Sequence, residues 1–478
     1  MKIVHISAEC YPVAKAGGLG DVVGALPKYL NQAGHKASVI MPHYHNNWLQ
    51  DAETELLYEE RAPFGQASFA YRISKLVNPG LGFDLFLVDI PGRFDRPGVY
   101  LDPWTGHGYW DEKERFFSFQ IAALDWINHQ EEKPDVVHCH DHHTALVPFM
   151  MTQSFRYELL KNIPTVLTIH NGEYQGKYDI ESAQLLPDFD HYKTGLLDWD
   201  GKLNSLAAGI KTAWKVSTVS EGYMDELQEF CHGLEYLLLA ESAKTTGILN
   251  GIDTEIWDPS TDTYLEEHYS LRNYKVGKSR NKEELCKEFD LNPDNPLFSF
   301  IGRLVREKGA DLLPDLIMKA HEKGIDANFI VLGTGDPRLH EIFENLENQY
   351  TGYFDSRLEY NEGLAHLIYA GSDFLLMPSR VEPCGLNQLY SMRYGTIPVV
   401  RKTGGLADTV IDVDEEDGYG FVFEDFKLQE AVEAVERAVE LFSKKRLFAS
   451  KRRHIMKLDF SWTKAAENYI SMYKSMKS

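Results

Sequence analysis

No run of apolar residues in this 478-residue chain approaches the roughly 18 needed for a membrane-spanning helix. That excludes a helical membrane anchor. Cysteine is scarce. The five residues, Cys10, Cys139, Cys231, Cys286 and Cys384, are scattered and odd in number, without close metal-binding spacing. This excludes a disulfide framework and fits reduced thiols in a cytoplasmic protein. Positive charge is in deficit: 49 Lys and Arg against 72 Asp and Glu leave a net charge of −23. Non-specific affinity for nucleic acid or an anionic membrane is therefore not expected, although a local cationic site remains open. The opening run MKIVHISAEC lacks a basic leader followed by an apolar stretch, so no secretory leader is expected. Short-period repeats and low-complexity tracts are missing as well.

What is present is core material. Hydrophobic residues make up 43% of the chain, with 25 Tyr and 8 Trp that can also offer flat faces to sugars and bases. Short β-rich runs alternate with helical patterns. Lys2–Ser7, Ala37–Met41, Phe83–Asp89, Val136–Cys139, Thr165–Ile169 and Lys215–Val219 read as strands. Val22–Asn31 and Phe116–His129 read as helices, and Leu56–Arg72 as an antiparallel excursion. The pattern restarts with strands at Leu297–Gly302, Asn328–Gly333, Asp373–Met377 and Ile397–Val400. Helices are expected at Asp311–Lys323, Glu362–Gly371, Gly385–Tyr394, Leu428–Ser443 and Trp462–Lys474. This predicts two Rossmann-like α/β domains with parallel sheets, facing each other across a cleft. The expected boundaries are 1–255 for the first domain, 256–295 for a linker region and 296–455 for the second domain. A C-terminal helical segment, 456–478, is expected to return to the first. Open parallel sheets bind ligands beyond the carboxyl ends of their strands, so function is sought in the strand-exit loops.

Six segments in those loops can carry chemistry. Lys15-Ala16-Gly17-Gly18-Leu19-Gly20-Asp21 joins a strand to a helix, where glycines let an anion approach backbone N–H groups and Lys15 adds charge. Its spacing is neither GxGxxG nor a phosphate-loop GxxxxGK. His138-Cys139-His140-Asp141-His142-His143 ends a strand. With no thiolate pair or HExxH helix beside it, hydrogen bonds to loops or sugar hydroxyls are expected there rather than a metal. His170 and Asn171 leave another strand. In Gly302-Arg303-Leu304-Val305-Arg306-Glu307-Lys308-Gly309, Arg303 as a fork and Lys308 as a point charge can hold a diphosphate. Ser379-Arg380-Val381-Glu382-Pro383-Cys384-Gly385 offers a carboxylate for sugar hydroxyls and a predicted helix start at Gly385. Thr403-Gly404-Gly405-Leu406 echoes the first glycine turn. Several anion-friendly turns on one domain suggest a nucleoside diphosphate.

These segments, with Phe94-Asp95-Arg96-Pro97-Gly98-Val99-Tyr100 and Gly247-Ile248-Leu249-Asn250-Gly251-Ile252-Asp253, closely resemble the bacterial and plant starch/glycogen synthases that use ADP-glucose. The resemblance spans nearly the whole chain. It implies the two-domain GT-B fold and a retaining transfer of glucose from ADP-glucose to the non-reducing end of an α-1,4-glucan such as glycogen or a maltooligosaccharide, releasing ADP. It implies no metal and no cofactor, and says nothing of oligomeric state. By resemblance His170, Glu382, Lys15, Arg303 and Lys308 form the catalytic set. Lys15, Gly17 and Gly18 approach the donor's phosphate and glucose, and Arg303 and Lys308 neutralise the diphosphate. Glu382 holds glucose hydroxyls, helped by N–H groups around Cys384, Gly385 and Leu386, with Thr403 and Gly404 completing the donor site. Asp21, Asn171, Asp95 and Tyr100 belong to the glucose or acceptor side, and Tyr360 matches the aromatic that packs on adenine. The chain departs from the usual wording at Gly172-Glu173, at Val381, at Leu358-Glu359 and at Tyr236. These departures bear on donor preference, acceptor length and rate. Two further readings are a related glycosyltransferase with another nucleotide-sugar donor and a glucan-binding GT-B protein with weak or no turnover.

Overall fold

The computed structural model describes residues 1–476. The chain divides into two compact units. Unit 1 takes Met1–Val219, Met224–Leu249 and the chain from Trp462 onward; unit 2 takes Ser220–Tyr223 and Asn250–Ser461.

Unit 1 is built on a nine-stranded sheet. Its strands are β1 (Lys2–Ile6), β2 (Lys36–Pro42), β3 (Thr54–Phe64), β4 (Ala67–Leu76), β5 (Asp84–Asp89), β6 (Val136–His140), β7 (Thr165–Ile169), β11 (Lys215–Thr218) and β12 (Thr245–Gly247), with β8 (Lys177–Asp179), β9 (Asp198–Trp199) and β10 (Lys202–Asn204) in a small separate sheet. The order is β12-β11-β7-β6-β1-β2-β5-β4-β3. All neighbours from β12 to β5 run parallel, whereas β3 and β4 form the antiparallel excursion expected over Leu56–Arg72. The buried runs of β1, β6 and β7 follow from a sheet covered on both faces. The exposed pattern of β3 marks the uncovered edge. Beyond Lys215–Val219 a further strand, β12, pairs with β11 in parallel; three residues are too short a run to announce themselves in sequence.

The C-terminal helix Trp462–Ser475 buries Trp462, Ala465, Ala466, Tyr469 and Tyr473 in the unit 1 core beside Ile3, Val22, Leu26 and Val166. Tyr473 Oη shares a 2.7 Å hydrogen bond with Nδ1 of the buried His138. The last two residues of the 456–478 segment lie outside the described residues.

Unit 2 holds a parallel sheet in the order β15-β14-β13-β16-β17-β18. The strands are β13 (Leu297–Ile301), β14 (Asn328–Leu332), β15 (Phe354–Arg357), β16 (Phe374–Met377), β17 (Ile397–Arg401) and β18 (Phe421–Phe423). Alternation divides their side chains between two cores. Phe298, Phe329, Val331 and Phe374 face one layer of helices, while Leu297, Ile330, Leu332 and Leu375 face the other.

Residues 256–295, expected as a linker region, fold into unit 2 instead. Leu265, Tyr269, Tyr274, Leu285 and Phe289 join the second core, and Tyr274–Glu288 is helical. The segment looks polar because its charges are satisfied inside. The buried Lys278 ammonium donates to the carbonyls of Tyr369 and Ala370 and to Thr396 Oγ1. Gly277 lies where a Cβ would stand 2.3 Å from Tyr269. The helix Gly18–Gln32 also begins four residues before the expected Val22, with Gly17 as its N-cap.

Candidate active site

Each parallel sheet reverses its winding once. In unit 1, β1 lies between β2 and β6; in unit 2, β13 lies between β14 and β16. A crevice opens at such a switch point beyond the carboxyl ends of the strands. The loops that leave those strands are Ser7–Gly17 and His140–Thr144 in unit 1, and Gly302–Gly309 and Pro378–Gly385 in unit 2. The candidate residues on these loops reach the crevices by topology alone.

In unit 2 the loops after β13 and β16 lock together. Lys308 Nζ donates to Glu382 Oε1 at 2.7 Å, and Ser379 Oγ donates to Glu382 Oε2 at 3.0 Å. Glu382 is 7% exposed, so its carboxylate has exchanged water for these two partners. The backbone N–H of Arg380 donates to the Glu307 carbonyl, tying the loops a second time. Gly309 makes this approach possible. It sits at φ +69°, and a Cβ there would stand 2.0 Å from the Pro378 carbonyl oxygen. Arg303 is exposed and only loosely paired with Glu307, at 3.6 Å. Of the two cations expected to hold a diphosphate, Lys308 is held by the carboxylate of Glu382 and Arg303 projects outward.

Gly385 does not begin a helix. It takes a left-handed φ of +71°, and the helix runs Asn387–Arg393. Cys384 is buried, and burial pushes its thiol up to about 12, so it is no nucleophile. The Thr403–Gly405 turn is packed against this loop. The Gly405 N–H donates to the Glu382 carbonyl at 3.0 Å, and a Cβ on Gly405 would meet the Cys384 carbonyl oxygen at 2.0 Å. A Cβ on Gly404 would lie 2.2 Å from the Glu382 carbonyl oxygen. Close backbone packing therefore accounts for both glycines, of which Gly404 was expected in the donor site. Leu386 is half-buried, and the ring of Tyr360, after β15, is exposed.

In unit 1 the glycine turn already contains an anion. Glu9 Oε2 accepts hydrogen bonds from the N–H groups of Ala16, at 2.5 Å, and Gly17, at 2.9 Å. Its other oxygen accepts from Tyr100 Oη at 2.6 Å. Burial pushes this carboxyl above the usual range, and the bond from Tyr100 and those from Ala16 and Gly17 oppose the shift. Two of the N–H groups expected to meet the donor are thus occupied from within. Around Gly17 and Gly18 a Cβ would meet nothing within 4 Å, so the outer side of the turn is open. Lys15 Nζ donates to Asp21 Oδ1 at 2.7 Å across a solvent-exposed pair. Asp95 is exposed, and its loop is anchored through neighbours: Arg96 forks onto Asp111 at 2.6 and 2.8 Å, and buried Arg115 donates to the Arg93 and Val99 carbonyls.

His170 and Asn171 leave β7 with their N–H groups directed at Asp141 Oδ1, at 2.7 and 3.4 Å. Asp141 holds an unusual left-handed φ of +56°, and burial raises its carboxyl to about 7 against those two bonds. The Asn171 side chain accepts from the Glu173 N–H at 2.9 Å and so closes its own turn. That bond engages the side-chain oxygen. His170 Nε2 shares a 3.0 Å hydrogen bond with His140 Nδ1, and His140 Nε2 a 3.1 Å bond with His5 Nδ1. Burial lowers His170 and His5 to about 3, so these rings are neutral hydrogen-bonding groups rather than charges.

Glu9, Ser379 and His5 were not visible as site residues in the sequence. Glu9 lies three residues beyond β1 at the switch point. That position was the available signal, but nothing in its spacing says that its carboxylate turns back onto residues 16 and 17. Gly172 is explained by its neighbours: a Cβ would lie 2.5 Å from Leu227 and 2.9 Å from Cys231 Sγ, which fill the space. Tyr236 is 76% exposed and Val381 also faces solvent, so neither substitution crowds its loop.

Comparison with known proteins agrees with this layout. Residues 2–240 match the starch synthase catalytic domain, and residues 281–454 match the glycosyl transferases group 1 domain. The glycogen synthase of Flavobacterium johnsoniae is 47% identical over 99% of this chain and 98% of that protein. The glycogen synthase of Exiguobacterium sibiricum is 37% identical over 99% of both. The catalytic domain of starch synthase IV from Arabidopsis thaliana, solved bound to ADP and acarbose, superposes with a TM-score of 0.86 at 32% identity over 99% of each chain. Sucrose-phosphate synthase from Thermosynechococcus elongatus shares the fold, at a TM-score of 0.62 and 16% identity.

Proposed function

This chain belongs to the starch and glycogen synthase family, glycosyltransferases that move a sugar from a nucleotide-sugar donor to a glucan, and we propose that its donor is ADP-glucose and its product an extended α-1,4-glucan. The observation that carries this reading is the Lys308–Glu382–Ser379 constellation at the unit 2 switch point. A diphosphate needs fixed positive charge, a glucose ring needs a hydrogen-bond acceptor, and this loop pair places both groups 2.7 Å apart. ADP and acarbose, a sugar-like ligand, are bound by the Arabidopsis relative, which supports the same two ligand classes here.

In the proposed reaction the bond between glucose C1 and the β-phosphate oxygen breaks, and C1 bonds to O4 of the acceptor's terminal glucose. The acceptor's hydroxyl proton passes to the departing phosphate oxygen, and ADP leaves. Lys308 and Arg303 stabilise the growing charge on that phosphate, the role a divalent ion fills in other transferases. Glu382 orients the glucose hydroxyls. Lys15, Gly17, Gly18 and Asp21 address the sugar and phosphate, Asp95, Tyr100 and Asn171 the glucose or acceptor, and Tyr360 the adenine ring. Leu386 and the N–H groups near Cys384 and Gly385 complete the donor contacts, while Thr403 and Gly404 support them through the backbone. His170, neutral and half-buried, offers a dipole to the developing positive centre instead of a second charge. No nucleophile is assigned, so retention of configuration is ascribed to attack on the face that the phosphate leaves.

The test incubates purified protein with a glucan primer and ADP-glucose, UDP-glucose or glucose 1-phosphate. Primer-dependent ADP release with chain growth is expected. Release from UDP-glucose alone would assign another donor, and tight glucan binding without turnover on any donor would make the protein a glucan-binding module.

A further inference from the structure

The histidine-rich run after β6 separates into two halves with opposite hydrogen-bonding status. His138 and His140, on the strand, have both ring nitrogens engaged: His138 with Tyr473 and Thr168, His140 with His5 and His170. His142 and His143, in the loop, do not. They are 5% and 6% exposed, yet Nδ1 and Nε2 of His142 and Nδ1 of His143 have no hydrogen-bond partner. A buried imidazole nitrogen without a partner is costly, and three on two adjacent rings call for an occupant. Glu112, in the first turn of the helix Glu112–His129, completes the group. Its Oε1 lies 3.5 Å from His142 Nε2, and one ligand atom from each of the three residues falls within 4.8 Å of the others.

We propose that Glu112, His142 and His143 form a divalent-metal site of the zinc class, outside the transfer chemistry. Two imidazoles and one carboxylate are a zinc donor set, with a fourth position left for water. Tetrahedral bonds of about 2.0–2.2 Å place ligand atoms about 3.4 Å apart. The Glu112–His142 separation already meets that. The remaining contraction falls to Glu112, whose side chain is 46% exposed and free to rotate, and to the two rings, whose centroids are 3.7 Å apart and tilted by 37°. The bound ion would tie the start of this helix to the loop after β6. It would also brace the Tyr100 ring, which stacks on His143 at 4.6 Å and whose hydroxyl holds Glu9 beneath the glycine turn. The ion's role is therefore structural support of that turn, which departs from the metal-free expectation for this run.

The test strips the full-length chain with a chelator, dialyses it against zinc chloride and counts retained metal. About one zinc per chain is expected, at least tenfold weaker retention in Glu112→Gln, and loss in His142→Phe. Cobalt substitution should give the intense visible bands of a four-coordinate site. Glu112→Gln sits at a half-exposed helix position and keeps the fold testable if His142→Phe misfolds. Three results would each overturn the proposal: no retained zinc in the wild-type chain, retention unchanged in Glu112→Gln, or zinc lost only on His5→Phe, which would place the ion among His5, His138 and His140.

Discussion

At the scale of single residues the donor loops turn on one buried ion pair. Lys308 has only its attraction to Glu382 and the proposed diphosphate to offset its partial burial, and removing it leaves the Glu382 carboxylate buried with Ser379 alone. Truncating one partner of such a pair costs about 3–5 kcal/mol. Lys308→Ala also removes the charge proposed to stabilise the departing phosphate and should lower kcat/KM about 100-fold or more, with Lys308→Arg recovering part of it; steady-state kinetics with the donor varied checks this. Asp141 supplies a second residue-scale prediction. Its carboxyl titrates near 7 in the folded chain against 3.8 as its ordinary value, so between those values the native state holds a proton that the unfolded chain has released. Stability from this group is full below about pH 4 and lost as pH rises through 7. Asparagine can still accept from His170 and Asn171 but has nothing to ionise. Asp141→Asn should gain on the wild type as pH rises from 5 to 8, by up to about 2.5 kcal/mol, read from urea midpoints at the two pH values.

At the scale of elements the glycine turns that look alike in sequence differ in kind. A Cβ on Gly405 would stand 2.0 Å from a carbonyl oxygen, whereas a Cβ on Gly18 would meet nothing within 4 Å. Gly405→Ala should destabilise unit 2 by more than about 2 kcal/mol, while Gly18→Ala should leave thermal stability within about 0.5 kcal/mol of wild type and act, if at all, on KM. Differential scanning calorimetry beside donor kinetics separates the two. The same scale explains what the sequence could disclose. The central strands of both sheets were legible because a buried parallel strand needs a short β-rich run, and Leu297–Ile301 and Thr165–Ile169 supply one, whereas β12, β15 and β18, of three or four residues, were not. The segment 256–295 was not, because Lys278 and Lys282 make it look solvent-exposed. Their burial depends on acceptors at Tyr369, Ala370 and Asp373, which lie elsewhere in the chain.

At the scale of the whole molecule each unit has its own core, and the C-terminal helix belongs to the first. Its Tyr469 and Tyr473 are fully buried among residues from β1, β6, β7 and the helix Gly18–Gln32. Ending the chain at Ser461 should remove hydrogen-exchange protection from β1, β6 and β7 while β13–β17 keep theirs, as read by mass spectrometry of peptides. A milder version is Tyr473→Phe, which leaves Nδ1 of His138 unpartnered and should cost about 1–3 kcal/mol. Among the described residues no helix is long and apolar enough to cross a membrane. The net charge of −23 sits over an interior in which Lys278, Lys282, Asp373 and Glu382 are all buried with partners.

The sequence by itself determined the two α/β units and which loops meet the strand exits. Both follow from local periodicity and from the rule that parallel strands need crossovers, and neither requires knowing what any side chain touches. The tertiary structure alone decided the pairings: Glu9 turned back on the glycine turn, Lys308 held by Glu382, Asn171 closing its own turn, and three ring nitrogens of His142 and His143 left without hydrogen-bond partners. Each of these depends on the distance between atoms far apart in the chain, or on which local acceptor wins. Hydrogen bonds and ion pairs act over about 3 Å, a distance that residue spacing along the chain does not encode.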